Sequence, residues 1–115
     1  MSEIVIWHNP RCSKSRQTLA LLQEHGHDPL IIEYLKNAPG KTEILQTLVK
    51  LGISAHDLMR KSEKIYKELA LSKNTDDKSL VSAMHENPIL IERPIVFAND
   101  KAAIGRPPES VLEIL

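Results

Sequence analysis

The sequence predicts an α/β fold, a mixed sheet laid out as βαβ, then a helical insertion, then ββα. Two observations predict it. In the first third, two short runs rich in β-branched residues flank a stretch of helical character. Near the C-terminus, two further apolar runs flank a turn signal and precede a proline-led helix. At 115 residues the chain is expected to form one domain, residues 1–115. Hydrophobic residues make up 42%, enough to build a core without disulfides or metal. Aromatics are only 3%, so Leu, Ile and Val must fill that core.

Ile4-Val5-Ile6-Trp7 reads as a buried strand, with Trp7 packing at its end. His8-Asn9-Pro10-Arg11 is a turn, because Pro10 pushes Asn9 out of helical geometry. A helix is expected from about Ser13 to His25, with Gly26 stopping it. Leu30 to Tyr34 is the second strand, and a crossover helix between neighbouring strands sets them parallel. Thr42 is expected to cap a helix running to Leu51, with Ile44, Leu45, Leu48 and Leu51 on one face and Gly52 ending it.

The segment from Ser54 to Asn87 reads as short helices. They are expected at Ala55 to Arg60, from Ser62 through Leu69, and after Thr75-Asp76-Asp77. Ile95-Val96-Phe97 and Ala102-Ala103-Ile104 are strands joined at a hairpin turn, Asn99-Asp100. Pro107-Pro108-Glu109 opens a terminal helix, Ser110 to Leu115. This order of elements is the plan of the thioredoxin-like fold, of the glutaredoxin type. There the reactive cysteine follows the first strand, at the start of the first helix, and a proline precedes the third strand and faces the site. Cys12 and Pro94 hold those places.

Fifteen basic residues balance fifteen acidic ones, so net charge gives no support to a nucleic-acid or membrane partner. One cysteine excludes an internal disulfide and a cysteine-based zinc site. His25, His27, His56 and His85 show no ligand pattern, so no metal site is expected. Met1 to Trp7 lacks a basic region followed by a long apolar stretch, and no run approaches ~20 apolar residues. The expected compartment is the reducing cytoplasm, where a lone thiol stays free. A monomer is expected.

Cys12 falls at or just before a helix N-terminus, where free N–H groups and the macrodipole favour negative charge. A thiol so placed is commonly acidified from about 8.5 toward ~3.5–7.5. Arg11, Lys14 and Arg16 add positive charge, and His8 is close enough to reach the thiol across the turn. Three cations, a histidine and two hydroxyls make a poor wall for an inert apolar pocket. Cys12-Ser13-Lys14-Ser15 has the C-x-x-S spacing, so Ser15 occupies the place of a resolving thiol and cannot act as one. A thiol cycle through Cys12 must then be completed by another molecule, such as glutathione or a glutaredoxin. The same helix start suits an oxyanion, with Ser13 and Ser15 as added hydroxyl donors.

At His8-Asn9-Pro10-x-Cys12-x-x-Ser15-Arg16-x-Thr18-Leu19 the chain resembles the glutaredoxin-coupled arsenate reductase family, the ArsC family. The resemblance runs on through Leu58-Met59-Arg60-Lys61, through Asn87 to Val96, and through Ile104-Gly105-Arg106-Pro107. It implies a thioredoxin-like fold with a helical insertion. It implies that Cys12 attacks arsenate and that His8 tunes it. Ser15 and Arg16 of the cysteine loop, with Arg60, Arg93 and Arg106, would bind the oxyanion, and Pro94 would be the cis-proline. The implied cycle has no bound cofactor. Glutathione as co-substrate takes the sulfur into a mixed disulfide, arsenite leaves, and glutaredoxin restores the thiol. Ser13-Lys14 stand where arsenate reductases of resistance operons usually carry Gly-Thr. Two alternatives follow, an ArsC-like thiol oxidoreductase with another substrate, and a non-enzymatic thioredoxin-fold regulator that docks a protein.

The electrostatics of such a reaction ask for fixed cations. A thiolate approaching an anion meets a repulsion of about 4 kcal/mol per charge pair at about 4 Å and an effective dielectric near ~20. Arginine suits the task, since it stays charged and its fork matches tetrahedral oxyanions. Arg93, set beside a proline between two apolar runs, is the hardest to read as a solvated surface charge.

Overall fold

The computed structural model describes residues 3–115. Met1 and Ser2, part of the stretch read above for a targeting segment, lie outside the described residues. The chain divides into two compact units, one built from both ends of the chain up to Asn37 and from Arg93, the other from Ala38–Glu92. No helix among the described residues is long and apolar enough to cross a membrane.

The first unit is a thioredoxin-like α/β layer. Its strands are β1 (Val5–Trp7), β2 (Leu30–Ile32), β3 (Ile95–Ala98) and β4 (Lys101–Ile104), in spatial order β2-β1-β3-β4. β1 pairs parallel with β2, Ile6 opposite Ile31, and antiparallel with β3, Ile6 opposite Val96. Helix α1 (Ser13–Glu24) makes the crossover between β1 and β2. Apolar burial holds the layer together: Ile6, Leu22, Val96 and Val111 form the buried cluster, flanked by Ile4, Leu19, Ala103 and Ile114. Trp7 packs on Phe97 with ring centroids 4.9 Å apart. Asn99 and Asp100 take φ of 53° and 62°, the left-handed pair that a tight hairpin between twisted strands requires.

Two elements differ from expectation here by more than one residue. β2 ends at Ile32, because Glu33 turns the chain, its carbonyl accepting the amides of Lys36 and Asn37. The terminal helix is a 3₁₀ helix over Pro108–Ile114. Its opening prolines remove donors, and a segment this short winds tightly.

In the second unit, α2 (Lys41–Leu51) is capped by Gly40 rather than Thr42. Glu43 reaches back to accept the Gly40 amide at 3.0 Å, so the cap needs no side chain at Gly40. Ile44 and Leu48 are buried, whereas Leu45 lies outside their stripe and is 50% exposed. Gly52, at φ 68°, ends the helix as expected. The helix expected at Ala55 to Arg60 is one 3₁₀ turn, His56–Leu58. Beyond it the backbone turns extended and Met59 bridges Ile91, with Arg60 N–H on the Leu90 carbonyl at 2.7 Å. This long-range pairing overrides local helical preference. α3 (Lys64–Glu68) is capped by Glu63 rather than Ser62. α4 (Asp77–Glu86) is capped by Asp76, which accepts the Ser79 amide at 3.0 Å.

Candidate active site

The turn from β1 into α1 is fixed by its own sequence. Asn9, which cannot be helical before Pro10, uses its Oδ1 to accept the Arg11 amide at 3.0 Å and its carbonyl to accept the Cys12 amide at 3.0 Å. Cys12 is thereby the N-cap of α1, with extended backbone, and its carbonyl takes the first helical bond from Arg16 N–H at 3.0 Å. The sulfur faces the amides of Lys14 and Ser15 at the helix start. Cys12 is 9% exposed, a nearly buried free thiol.

Two arginines from the β3 and β4 ends meet that sulfur. Arg93 stands just before β3 and hydrogen-bonds it. Arg106 follows β4, donating from Nη2 to Sγ at 3.7 Å and from Nε to the Arg93 carbonyl at 2.8 Å. The Arg93–Pro94 and Arg106–Pro107 peptide bonds are both cis. The two loops are laced by Gly105 N–H on the Pro94 carbonyl at 2.9 Å. Gly105 is packed so closely that a Cβ there would stand 2.5 Å from Thr18 Oγ1 and 2.8 Å from Pro94 Cγ. Glycine is what lets the β4 end approach α1.

Burial by itself would push the Cys12 thiol up. The Arg93 hydrogen bond, the amides of Ser15 and Lys14, and the Arg93 charge outweigh it, so the thiol lies below its ordinary value. The same pairing acts on Arg93, where burial disfavours the charge but contact with Cys12 and with Tyr34 holds it above its usual range. Tyr34 is 1% exposed, and its phenol reaches the Arg93 side chain.

His8 and Ser15 form a second buried layer. His8 Nδ1 and Ser15 Oγ are 2.6 Å apart, and the same oxygen accepts the Asn9 amide at 3.0 Å. Ser15 has one proton to give and His8 Nδ1 is placed to take it, so the neutral imidazole carries its own proton on Nε2, an assignment made from the network. Burial lowers the His8 pKa; the Glu33 charge opposes that and Arg16 adds to it.

The expected residues are thus placed differently. Cys12, Arg93, Arg106 and Pro94 come together, with His8 and Ser15 behind the turn. The Ser15 hydroxyl is bonded to His8 and Asn9, so what it offers at the sulfur is its backbone amide. Arg16 sends its guanidinium to the Pro10 carbonyl at 2.9 Å, bracing the turn. Arg60 belongs to the second unit, where Glu63 holds it at 3.1 Å and Glu92 at 3.3 Å. Among the described residues no three His, Cys, Asp or Glu side chains converge as metal ligands. Tyr34, Thr18 and Gly105 were not legible as site residues. Tyr34 closes an apolar run and reads as a strand residue, and only the β2 turn swings it inward.

Known proteins resemble this chain over nearly its whole length. A model of the ArsC family matches residues 7–114. The chain is 53% identical to the Escherichia coli protein YfgD, over 98% of this chain and 97% of that one. It is 47% identical to the arsenate reductase of Neisseria meningitidis, over 100% of both. The solved structure of an arsenate reductase from Vibrio cholerae superposes with a TM-score of 0.96 at 49% identity, covering 99% of this chain and 98% of that one.

Proposed function

Because the chain belongs to the ArsC family, we propose that it reduces arsenate to arsenite with the Cys12 thiolate as nucleophile and with glutathione and glutaredoxin as its reductants. The observation that carries this reading is the Cys12 sulfur at a helix N-terminus in contact with both Arg93 and Arg106. That arrangement favours what the first step needs, an acidified thiol and fixed cations that offset the thiolate's repulsion from an incoming anion. Relatives named arsenate reductase at 47% identity support the choice of substrate.

The cycle balances as follows. The Cys12 sulfur bonds to arsenic and one arsenate oxygen leaves, protonated to water. Glutathione sulfur then bonds to the Cys12 sulfur while the sulfur–arsenic bond breaks, its electron pair passing to arsenic. As(V) becomes As(III), and two thiol sulfurs become one disulfide. A glutaredoxin thiol then attacks the glutathione sulfur and returns Cys12 to its reduced form. An outside thiol is needed because Ser15 stands where an internal one would be and its hydroxyl is bonded to His8 and Asn9. Arg93 and Arg106 orient the oxyanion, and His8 with Ser15 holds the turn that presents the sulfur.

The test is arsenate-dependent NADPH oxidation in a coupled assay with glutathione, glutaredoxin and glutathione reductase. The expected result is turnover by the wild type and none by Cys12→Ser. A folded wild type that turns over no arsenate rejects arsenate as substrate and leaves a thiol oxidoreductase acting on another compound.

A further inference from the structure

A groove of about 290 Å³ opens next to the Cys12 turn. It lies at the carboxyl ends of the parallel pair β1 and β2, which are brought side by side by the His8 N–H to Ile32 carbonyl bond at 2.8 Å. Crevices at the carboxyl ends of parallel strands are the usual ligand sites of α/β sheets. One wall is the backbone and side chain of the turn itself, ending in Arg11. The other is the loop after β2, with Glu33, Leu35 and Lys36, and His8 also lines the groove.

The groove's charge fits a particular visitor. Arg11 and Lys36 put two exposed cations on opposite walls, and Leu35, 41% exposed, gives an apolar patch. Lys36 approaches Glu33 at 3.6 Å, but with side chains 76% and 40% exposed that pair is weak and gives way readily to a ligand carboxylate. Glu33 is then left to face an ammonium. The volume lies at the low end of small-molecule sites, ~300–1,000 Å³, so it suits one arm of a tripeptide rather than the whole. The turn forming one wall also carries Cys12, whose amide is bonded to the Asn9 carbonyl at 3.0 Å.

We infer that this groove binds a carboxylate-bearing arm of the incoming thiol, glutathione, with Arg11 and Lys36 taking the carboxylate, so that the middle of the tripeptide brings its sulfur to Cys12. The inference rests on the proposed cycle, in which a small anionic thiol reacts at Cys12, but its test needs no arsenate. In thiol–disulfide exchange with glutathione disulfide, the Cys12 thiolate forms one S–S bond, the S–S bond of the reagent breaks, and glutathione leaves as a thiolate. The rate of Cys12 mixed-disulfide formation is measured by mass spectrometry with glutathione disulfide and with the neutral 2-hydroxyethyl disulfide.

In the double variant Arg11→Glu with Lys36→Glu, the ratio of the glutathione disulfide rate to the neutral disulfide rate is expected to fall about tenfold, any change that Arg11 makes in the thiolate itself falling equally on both rates and cancelling in the ratio. Lys101→Glu, on the opposite edge strand of the same sheet, is expected to change neither rate by more than about twofold. Equal loss with both disulfides, equal damage from Lys101→Glu, or no loss at all overturns the groove assignment. If those rates behave as expected while arsenate is not turned over, the groove stands and the arsenate assignment falls. If arsenate is turned over and charge reversal changes nothing, the groove alone falls. A folded wild type that forms no mixed disulfide with either reagent rejects both.

Discussion

Arg106 Nη2 stands 3.7 Å from the Cys12 sulfur, on a guanidinium whose Nε is already anchored to the Arg93 carbonyl at 2.8 Å. One side chain therefore ties the thiol to the loop that carries the second cation. A planar fork makes both bonds at once, and an ammonium cannot. Arg106→Ala is expected to raise the Cys12 pKa and to lower arsenate kcat/KM by about 10- to 100-fold, the range for a hydrogen bond to a charged group. Arg106→Lys restores the charge without the fork and is expected to recover only part of that loss. Steady-state kinetics beside a thiolate titration checks both variants.

Tyr34 acts on the thiol through Arg93. Its ring is buried and its phenol reaches the Arg93 side chain, which in turn hydrogen-bonds Cys12. Tyr34→Phe keeps the ring in place, so stability is expected to change by no more than about 1.5 kcal/mol. The Cys12 pKa is nevertheless expected to rise, because Arg93 is less firmly held. Denaturant unfolding and the pH profile of alkylation separate the two effects, and an unchanged profile removes Tyr34 from the site.

Ser15 is 0% exposed and serves two partners, His8 Nδ1 and the Asn9 amide. Ser15→Ala leaves both without that oxygen, at a cost of about 1–3 kcal/mol for each buried polar group left unbonded. A fall in denaturant midpoint with slower Cys12 alkylation is the expected result. The sign of the His8 shift sets a pH window as well. Because burial lowers its pKa, the ring is less than half protonated at pH ~6.5, where a free histidine is half protonated. Proton NMR is expected to find its midpoint below that value, with activity holding until more acid pH is reached.

Gly105 is the tight point of the site's packing. Any Cβ there meets Thr18 and Pro94 at distances real contacts do not show. Gly105→Ala is expected to destabilise the protein by about 1–3 kcal/mol, the usual cost of overpacking, and to displace Arg106. Thermal unfolding combined with a thiolate titration checks both consequences.

The legible features are the locally encoded ones. Ile4 to Trp7 and Ile95 to Phe97 are β-branched runs, Asn99-Asp100 is turn chemistry, and Cys12 follows an Asn-Pro turn and precedes a helical stretch. Each is decided within a few residues, and each stands in the structure within a residue of where the sequence put it. Met59 was misread because its bridge partner, Ile91, is far along the chain and the local signal is helical. Gly40 displaced Thr42 as a cap because the bond comes from Glu43 rather than from the cap residue. The pairing of Arg106 with Cys12 and the inward turn of Tyr34 are tertiary facts, and no spacing in the sequence encodes them. Arg93 stood out in the residues themselves because a charge sat between two apolar runs, and the family resemblance pointed to it as well.

The account depends most on the Cys12 thiol being acidified, since an arginine-held oxyanion is of no use to a protonated sulfur. The direct measurement is the pH dependence of thiolate absorbance in the wild type, with Cys12→Ser as the blank. The account predicts a midpoint clearly below ~8.5, the value of a free cysteine, that moves upward in Arg93→Ala. A midpoint at or above that value, or one indifferent to Arg93, contradicts it.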